Sequence, residues 1–309
     1  MVVLVTPYEN PDLDGVACAY AYAEFLNKNG RAAIAGIFGE PHREARFVLN
    51  KFYISQLKNA SELIDNSNGV VVVDASDLRG ISKEVNPEDV IEIIDHRKIN
   101  EADKFPNAKL QIELVGSAAT LIVEKFISHK IDITKEAASL LYSAIISNTI
   151  NFNAGVTTDR DRKTADWLKN KFIMPENYIN EMFEYKSIIV GSIKEMIVGD
   201  FATFNFNNKE IGIAQLEILN VTSFMQKNQI EIADVLLELK DKESLDYIFI
   251  SFVDLAEAFN LFFVIDESSL LLIENSLNIK FIDNLAKQNG ILMRKQISPL
   301  IKKYLETQV

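Results

Sequence analysis

Residues 70–74 read "VVVVD". Four consecutive β-branched residues leave no polar face. Such a strand is at home only in a parallel sheet covered by helices on both sides. Four more β-rich runs share this character: "VVLVT" at 2–6, "AAIAGIF" at 32–38, "VIEIID" at 90–95 and "LQIELV" at 110–115. Between the first two lies "GVACAYAYAEFLNKNG", 15–30, which predicts a helix closed by Gly30. Strands alternating with helices predict an open α/β fold.

From residue 117 the pattern turns helical, with "SAATLIVEKFISHK", "TKEAASLLYSAIISNT" and "TTDRDRKTADWLKNKF". In the last of these, Thr157, Thr158, Asp159 and Asp161 read as a helix N-terminus with capping and acidic first-turn residues. A boundary is expected between 185 and 200, dividing the chain into domains at 1–188 and 196–309. The second domain opens with a hairpin pattern turning at Asn207-Asn208. A helix near 221–239, strands near 247–253 and 261–265, and a helix over 276–289 follow. The fold class is therefore α/β, an N-terminal open parallel-sheet domain followed by a smaller C-terminal α+β domain.

The chain has 309 residues, 48% hydrophobic and 25% charged, as expected for a globular protein with cores in two domains. Its single cysteine, Cys18, excludes an internal disulfide and predicts a cytoplasmic setting. The start has no basic segment, so no signal peptide is expected, and no apolar run nears membrane length. With 32 basic and 44 acidic residues the net charge is −12, which argues against a nucleic-acid polymer as partner. A small phosphorylated substrate stays compatible if metal ions supply positive potential locally.

In open α/β sheets, ligands bind beyond the carboxyl ends of the strands. Asp12 and Asp14 follow the first strand, Asp74 ends the valine run, and Asp95-His96 end "VIEII". Carboxylates gathered at one edge repel one another unless a cation joins them. A carboxylate and imidazole set suits Mn²⁺, and Mg²⁺, Fe²⁺, Co²⁺ and Zn²⁺ are also compatible. His42 and His129, near helix ends, read as structural.

"NPDLDG", "VVVVDASD", "IIDHRKI" and "LVGSAAT" resemble, in order and spacing, the motifs of the DHH phosphoesterase superfamily. "MRKQISPL" near the C-terminus resembles the Ser-Arg-Lys motif of family II inorganic pyrophosphatases, whose C-terminal domain is shared with exopolyphosphatases and prune-like proteins. The resemblance implies an active site in the interdomain cleft. It implies metal positions at Asp12, Asp14, Asp74, His96 and Asn148, with two Mn²⁺ ions (or Mg²⁺ or Co²⁺) bridged by Asp74. A pair ~3.5–4 Å apart would clamp an in-line displacement. It places Asp74, His96 and Arg97 in catalysis, and Arg97, Lys98, Ser117, Arg294 and Lys295 on the substrate. "GSAAT" is expected to offer backbone N–H groups to a phosphate. The implied reaction is hydrolysis of pyrophosphate to two phosphates, with short polyphosphate as the alternative substrate. Relatives include dimers, so a homodimer through a sheet edge is compatible.

Four positions depart from the family pattern. Tyr8 stands where the pyrophosphatases carry a metal-binding histidine, Arg97 replaces the second histidine of the DHH motif, Asn148 replaces a metal-binding aspartate, and Met293 replaces the serine before Arg294. An Asp-His-Arg motif resembles the prune and exopolyphosphatase branch. A neutral phenol and an amide are weaker ligands than imidazole and carboxylate. They motivate a further alternative, a non-catalytic phosphate or nucleotide binder. Cleavage of cyclic dinucleotides ranks below these, because that DHH branch carries a glycine-rich C-terminal motif and this chain has no Gly-Gly pair.

Overall fold

The computed structural model describes residues 2–188 and 191–307. Residues 189 and 190, inside the expected domain boundary, lie outside the described residues. The chain divides into two compact units, Met1–Phe152 with Val156–Met182, and Asn153–Gly155 with Phe183–Val309.

In the first unit the strands are β1 (Val3–Thr6), β2 (Ala33–Ile37), β3 (Lys58–Asn59), β4 (Val70–Val73), β5 (Val90–Asp95) and β6 (Lys109–Ile112). They form a parallel sheet in the order β3-β2-β1-β4-β5-β6. The valine run is central and buried along its whole length, as its composition requires. The helices are α1 (Leu13–Lys28), α2 (Arg43–Lys51), α3 (Ala118–His129), α4 (Lys135–Asn148) and α5 (Asp159–Lys169), and α6 (Tyr178–Ser187) begins in this unit and ends in the second. Helix α1 starts at Leu13, after the turn that follows β1, because Asp12 caps it, accepting from the Gly15 N–H at 3.0 Å. Gly15 then packs against Pro7 and Pro11, where a Cβ would meet atoms at 2.9 and 3.1 Å. The strand order reverses between β1 and β4, so the turns after these two strands open onto the same crevice. That is the topological switch point of the sheet.

The second unit contains α7 (Ile193–Gly199), β7 (Phe201–Phe206), β8 (Lys209–Ile218), α8 (Val221–Lys242), β9 (Tyr247–Asp254), β10 (Phe259–Val264), α9 (Glu267–Leu277), β11 (Leu285–Asn289) and α10 (Arg294–Glu306). Its sheet runs β11-β10-β9-β8-β7, with only the β8–β9 pair parallel. Side chains along β9 alternate between two cores. Ile248, Ile250 and Phe252 join Ile232 and Leu236 of α8, while Phe249 joins Ile273 of α9 and Ile297 of α10.

The helix expected over 276–289 is a correction. The helix ends at Leu277, and 285–289 is the edge strand β11, paired with β10. Asp266 caps α9 by accepting from Ser269 N at 2.8 Å, and Asn278 stops it in the left-handed conformation. The expected Asn207-Asn208 turn is present, with φ of 53° and 58°. Both values match a two-residue hairpin turn that favours Asn-Gly. Asn208→Gly is therefore expected to stabilise the second unit slightly, by about 0.5 kcal/mol. Urea unfolding checks it, and a loss of stability contradicts it. Asn207 should be kept, because its side chain donates to Leu305 O at 3.1 Å.

Candidate metal centre

The switch point brings together Asp14 from the first turn of α1, Asp74 just after β4, and His96 just after β5. All three are buried, and one ligand atom from each lies within 4.8 Å of the others. His96 Nε2 is 3.3 Å from Asp74 Oδ1 and 3.9 Å from Asp14 Oδ2. Its other nitrogen, Nδ1, is 3.0 Å from the carbonyl of Val115. A carbonyl only accepts, so Nδ1 carries a proton, and Nε2 is the ring atom turned towards the two carboxylates. Two carboxylates and an imidazole nitrogen thus converge, a donor set that could hold a cation.

The carboxylates show the strain of this arrangement. Burial, then the neighbouring Asp74 charge, pushes the Asp14 carboxyl up to about 7. This happens although Asp14 accepts hydrogen bonds from Ser117 Oγ at 2.8 Å, Ala118 N at 2.8 Å, Ala119 N at 2.9 Å and Asn148 Nδ2 at 2.6 Å. A divalent ion relieves the repulsion, and the mixed carboxylate and imidazole donor set fits Mn²⁺. Asp74 itself has φ 55°, a left-handed conformation that turns the chain sharply after β4.

The remaining sequence-predicted residues fall around this cluster. Asp12 caps α1 and is not one of the three converging donors. Asn148, the last residue of α4, lies beside the set and donates through Nδ2 to Asp14 at 2.6 Å. Ser117 Oγ also donates to Asp14. The structure differs here from the expectation for "GSAAT". The N–H groups of Ala118 and Ala119 serve Asp14, and that of Gly116 serves Asp161, so these donors are committed to protein carboxylates. Arg97 donates to Asp77 Oδ2 at 2.9 Å and to the carbonyl of Asp74 at 3.0 Å, and its guanidinium lies 5.4 Å from the Tyr8 ring centre. Burial opposes its charge, but the carboxylates of Asp95, Asp74 and Asp77 outweigh that and hold the guanidinium charged. Tyr8 accepts from Asp12 N at 2.9 Å, and burial, with Asp12 and Asp74, pushes its phenol up so that it stays neutral. Lys98 is exposed.

In the second unit, Arg294 opens α10. Its backbone N–H donates to Gln215 Oε1 at 2.6 Å, and its guanidinium meets Asp200 Oδ1 at 2.7 Å and Asp200 O at 2.8 Å. Lys295 follows it, partly buried. Buried Asn260 holds the preceding segment by bonding both N and O of Leu292, at 2.7 and 2.8 Å.

Sequence reasoning missed Val115, whose carbonyl orients His96, and Asp77, the partner of Arg97. Asp77 did carry a signal, three residues after Asp74 in "VVVVDASD". It also missed the reach of Asp161, whose carboxylate binds Gly116 N and the Thr120 hydroxyl as well as capping α5.

A parallel sheet with a carboxylate and imidazole cluster at its switch point, followed by a second mixed-sheet unit, defines an α/β protein whose cluster could hold a divalent metal ion. Residues 2–145 match the model described as the DHH family, N-terminal domain, and residues 180–304 match the DHHA2 domain. A manganese-dependent inorganic pyrophosphatase from Methanocaldococcus jannaschii is 30% identical over 316 residues, covering 97% of this chain and 98% of the relative. A probable manganese-dependent inorganic pyrophosphatase from Clostridium acetobutylicum is 29% identical over 308 residues, covering 99% and 98%. The crystal structure of a putative family II inorganic pyrophosphatase from Methanococcus jannaschii matches with a TM-score of 0.82 at 27% identity, over 98% of this chain and 99% of that one. The chain belongs to the DHH family, with the family II, manganese-dependent inorganic pyrophosphatases.

Metal should also hold the fold. Free Mn²⁺ at a hundredfold above its Kd is expected to stabilise the stripped first unit by about 2.7 kcal/mol, read as a rise in Tm. An unchanged Tm contradicts binding at this cluster.

Proposed function

We propose that the protein hydrolyses inorganic pyrophosphate to two phosphates in a manganese-dependent reaction. The observation that carries this reading is the convergence of Asp14, Asp74 and His96 Nε2, three buried side chains whose ligand atoms lie within 4.8 Å of one another, with the imidazole oriented through Nδ1 by the carbonyl of Val115. When bound, a divalent ion polarises a phosphoryl oxygen and acidifies a water. The chain's own residues set the stage. Val115 orients His96, Ser117 and Asn148 hold Asp14, and the left-handed turn at Asp74 aims its carboxylate at both. In this reading Arg97, Lys98, Arg294 and Lys295 supply positive charge to the substrate's phosphates, Arg as a fork and Lys as a point charge. No helix among the described residues is long and apolar enough to cross a membrane. A small anionic substrate met in the cytoplasm suits the net charge of −12 better than a nucleic-acid polymer.

The test is phosphate release from pyrophosphate and from tripolyphosphate by metal-stripped protein resupplied with Mn²⁺ or Mg²⁺. Turnover that needs metal and favours pyrophosphate is expected. Faster tripolyphosphate hydrolysis would assign an exopolyphosphatase instead. Full activity without metal would sink the reading. Pyrophosphate bound in calorimetry without turnover would favour the non-catalytic alternative, which Tyr8 and Asn148 motivate.

A further inference from the structure

We propose that this centre takes a single tightly bound divalent ion, and that the Arg97 guanidinium provides the second positive charge of the site from within the chain. The inference rests on the metal-dependent reading above and specifies how many ions it needs.

Apart from Asp12, which caps α1, the acidic groups named beyond β1, β4 and β5 fall into two sets. The first is Asp14, Asp74 and His96, the one group of three or more such ligands among the described residues. Its two carboxylates are balanced in charge by one dication. The second set surrounds Arg97. Asp77 Oδ2 lies at 2.9 Å, Asp95 Oδ1 at 3.9 Å and the carbonyl of Asp74 at 3.0 Å.

Groups flanking this position are occupied in ways that suit the guanidinium. The Asp12 carboxylate caps α1 through Gly15 N, and its own N–H is taken by the Tyr8 hydroxyl. The Tyr8 ring faces the guanidinium at 5.4 Å, an arrangement favourable to a cation over a π-face. Asp95 accepts from Ser76 Oγ and from His96 N, the latter at 2.7 Å. A second dication would have to approach Asp74 beside a side chain that never loses its charge, against direct repulsion. Arginine here links the two sets. It neutralises the acidic residues that the metal does not reach, and it binds the main chain of Asp74, whose carboxylate belongs to the metal set.

The experiment is a count of bound ions on the full chain. Stripped protein is dialysed against micromolar Mn²⁺, metal per chain is measured by plasma mass spectrometry, and the bound ion is examined by electron paramagnetic resonance. One Mn²⁺ per chain with the spectrum of an isolated ion is expected. Arg97→His, which removes the fixed charge and adds a ligand, is expected to take up a second ion and show spin coupling. Arg97→Lys should stay at one. Two tightly bound, coupled ions in the unaltered protein would overturn the inference while leaving the manganese-dependent reading intact. No bound Mn²⁺ would overturn both. A count of one in folded Arg97→His would overturn the role given to the guanidinium.

Discussion

Asp74→Asn is expected to lower kcat/KM for pyrophosphate by at least about 10³-fold, equivalent to roughly 4 kcal/mol of transition-state stabilisation. The substitution is chosen for its backbone. Asp74 has φ 55°, a conformation that asparagine tolerates as readily as aspartate, so the turn after β4 survives. The main-chain bond from Arg97 is untouched, because it goes to the carbonyl of residue 74. What is lost is one negative charge facing His96 Nε2 and Asp14. The Asp74 charge also helps push the Asp14 carboxyl up. The stripped variant should therefore melt no lower than the stripped parent, even though it is inactive and holds less Mn²⁺. Phosphate release and melting in parallel separate this outcome from misfolding. Activity within tenfold of the parent would remove Asp74 from the reaction.

Asp161→Ala is expected to destabilise the first unit by about 3–5 kcal/mol. Its carboxylate is fully buried. It accepts from Gly116 N at 3.0 and 2.9 Å, Thr120 Oγ1 at 2.6 Å, Thr158 N at 2.7 Å and Thr158 Oγ1 at 2.7 Å. Alanine leaves those donors in the interior without an acceptor, and that desolvation cost dominates. No side chain can replace the carboxylate from the Gly116 side, since a Cβ there would lie 2.5 Å from Thr149 and 2.9 Å from Asp161. The damage should reach the metal centre. Gly116 lies between Val115, which orients His96, and Ser117, which holds Asp14. Urea unfolding gives the stability, and calorimetry with Mn²⁺ gives the affinity, which should fall with it. A loss below 1 kcal/mol would mean that Asp161 only caps α5.

Much of this molecule is readable from short stretches. The valine run, the Asn207-Asn208 turn and the α5 start at Thr158 each depend on residues within a turn or two, where propensity and sterics act. Strand-end carboxylates are visible for the same reason, because β-rich runs announce where they stop. The one element misassigned, 276–289, shows the limit. The residues of β11 carry little β signal of their own, and pairing with β10 decides their conformation.

The candidate centre divides along the same line. Asp14, Asp74 and His96 could be picked out one by one as strand-end ligands, and the motif resemblance singled out Asn148 and Arg97. Their working relations lie at long range. Ser117 is 103 residues from the Asp14 it binds, and Asn148 is 134 residues away. Whether the N–H groups of "GSAAT" face a phosphate or a protein carboxylate depends on α3 packing against α1 and α5. Whether Arg97 contacts substrate alone or also neutralises Asp77 and Asp95 depends on β4 and β5 lying side by side. Local sequence selects conformations because the competing states differ by neighbours along the chain. Partners for buried charges are chosen only when folding removes water and leaves each charge the few groups within reach.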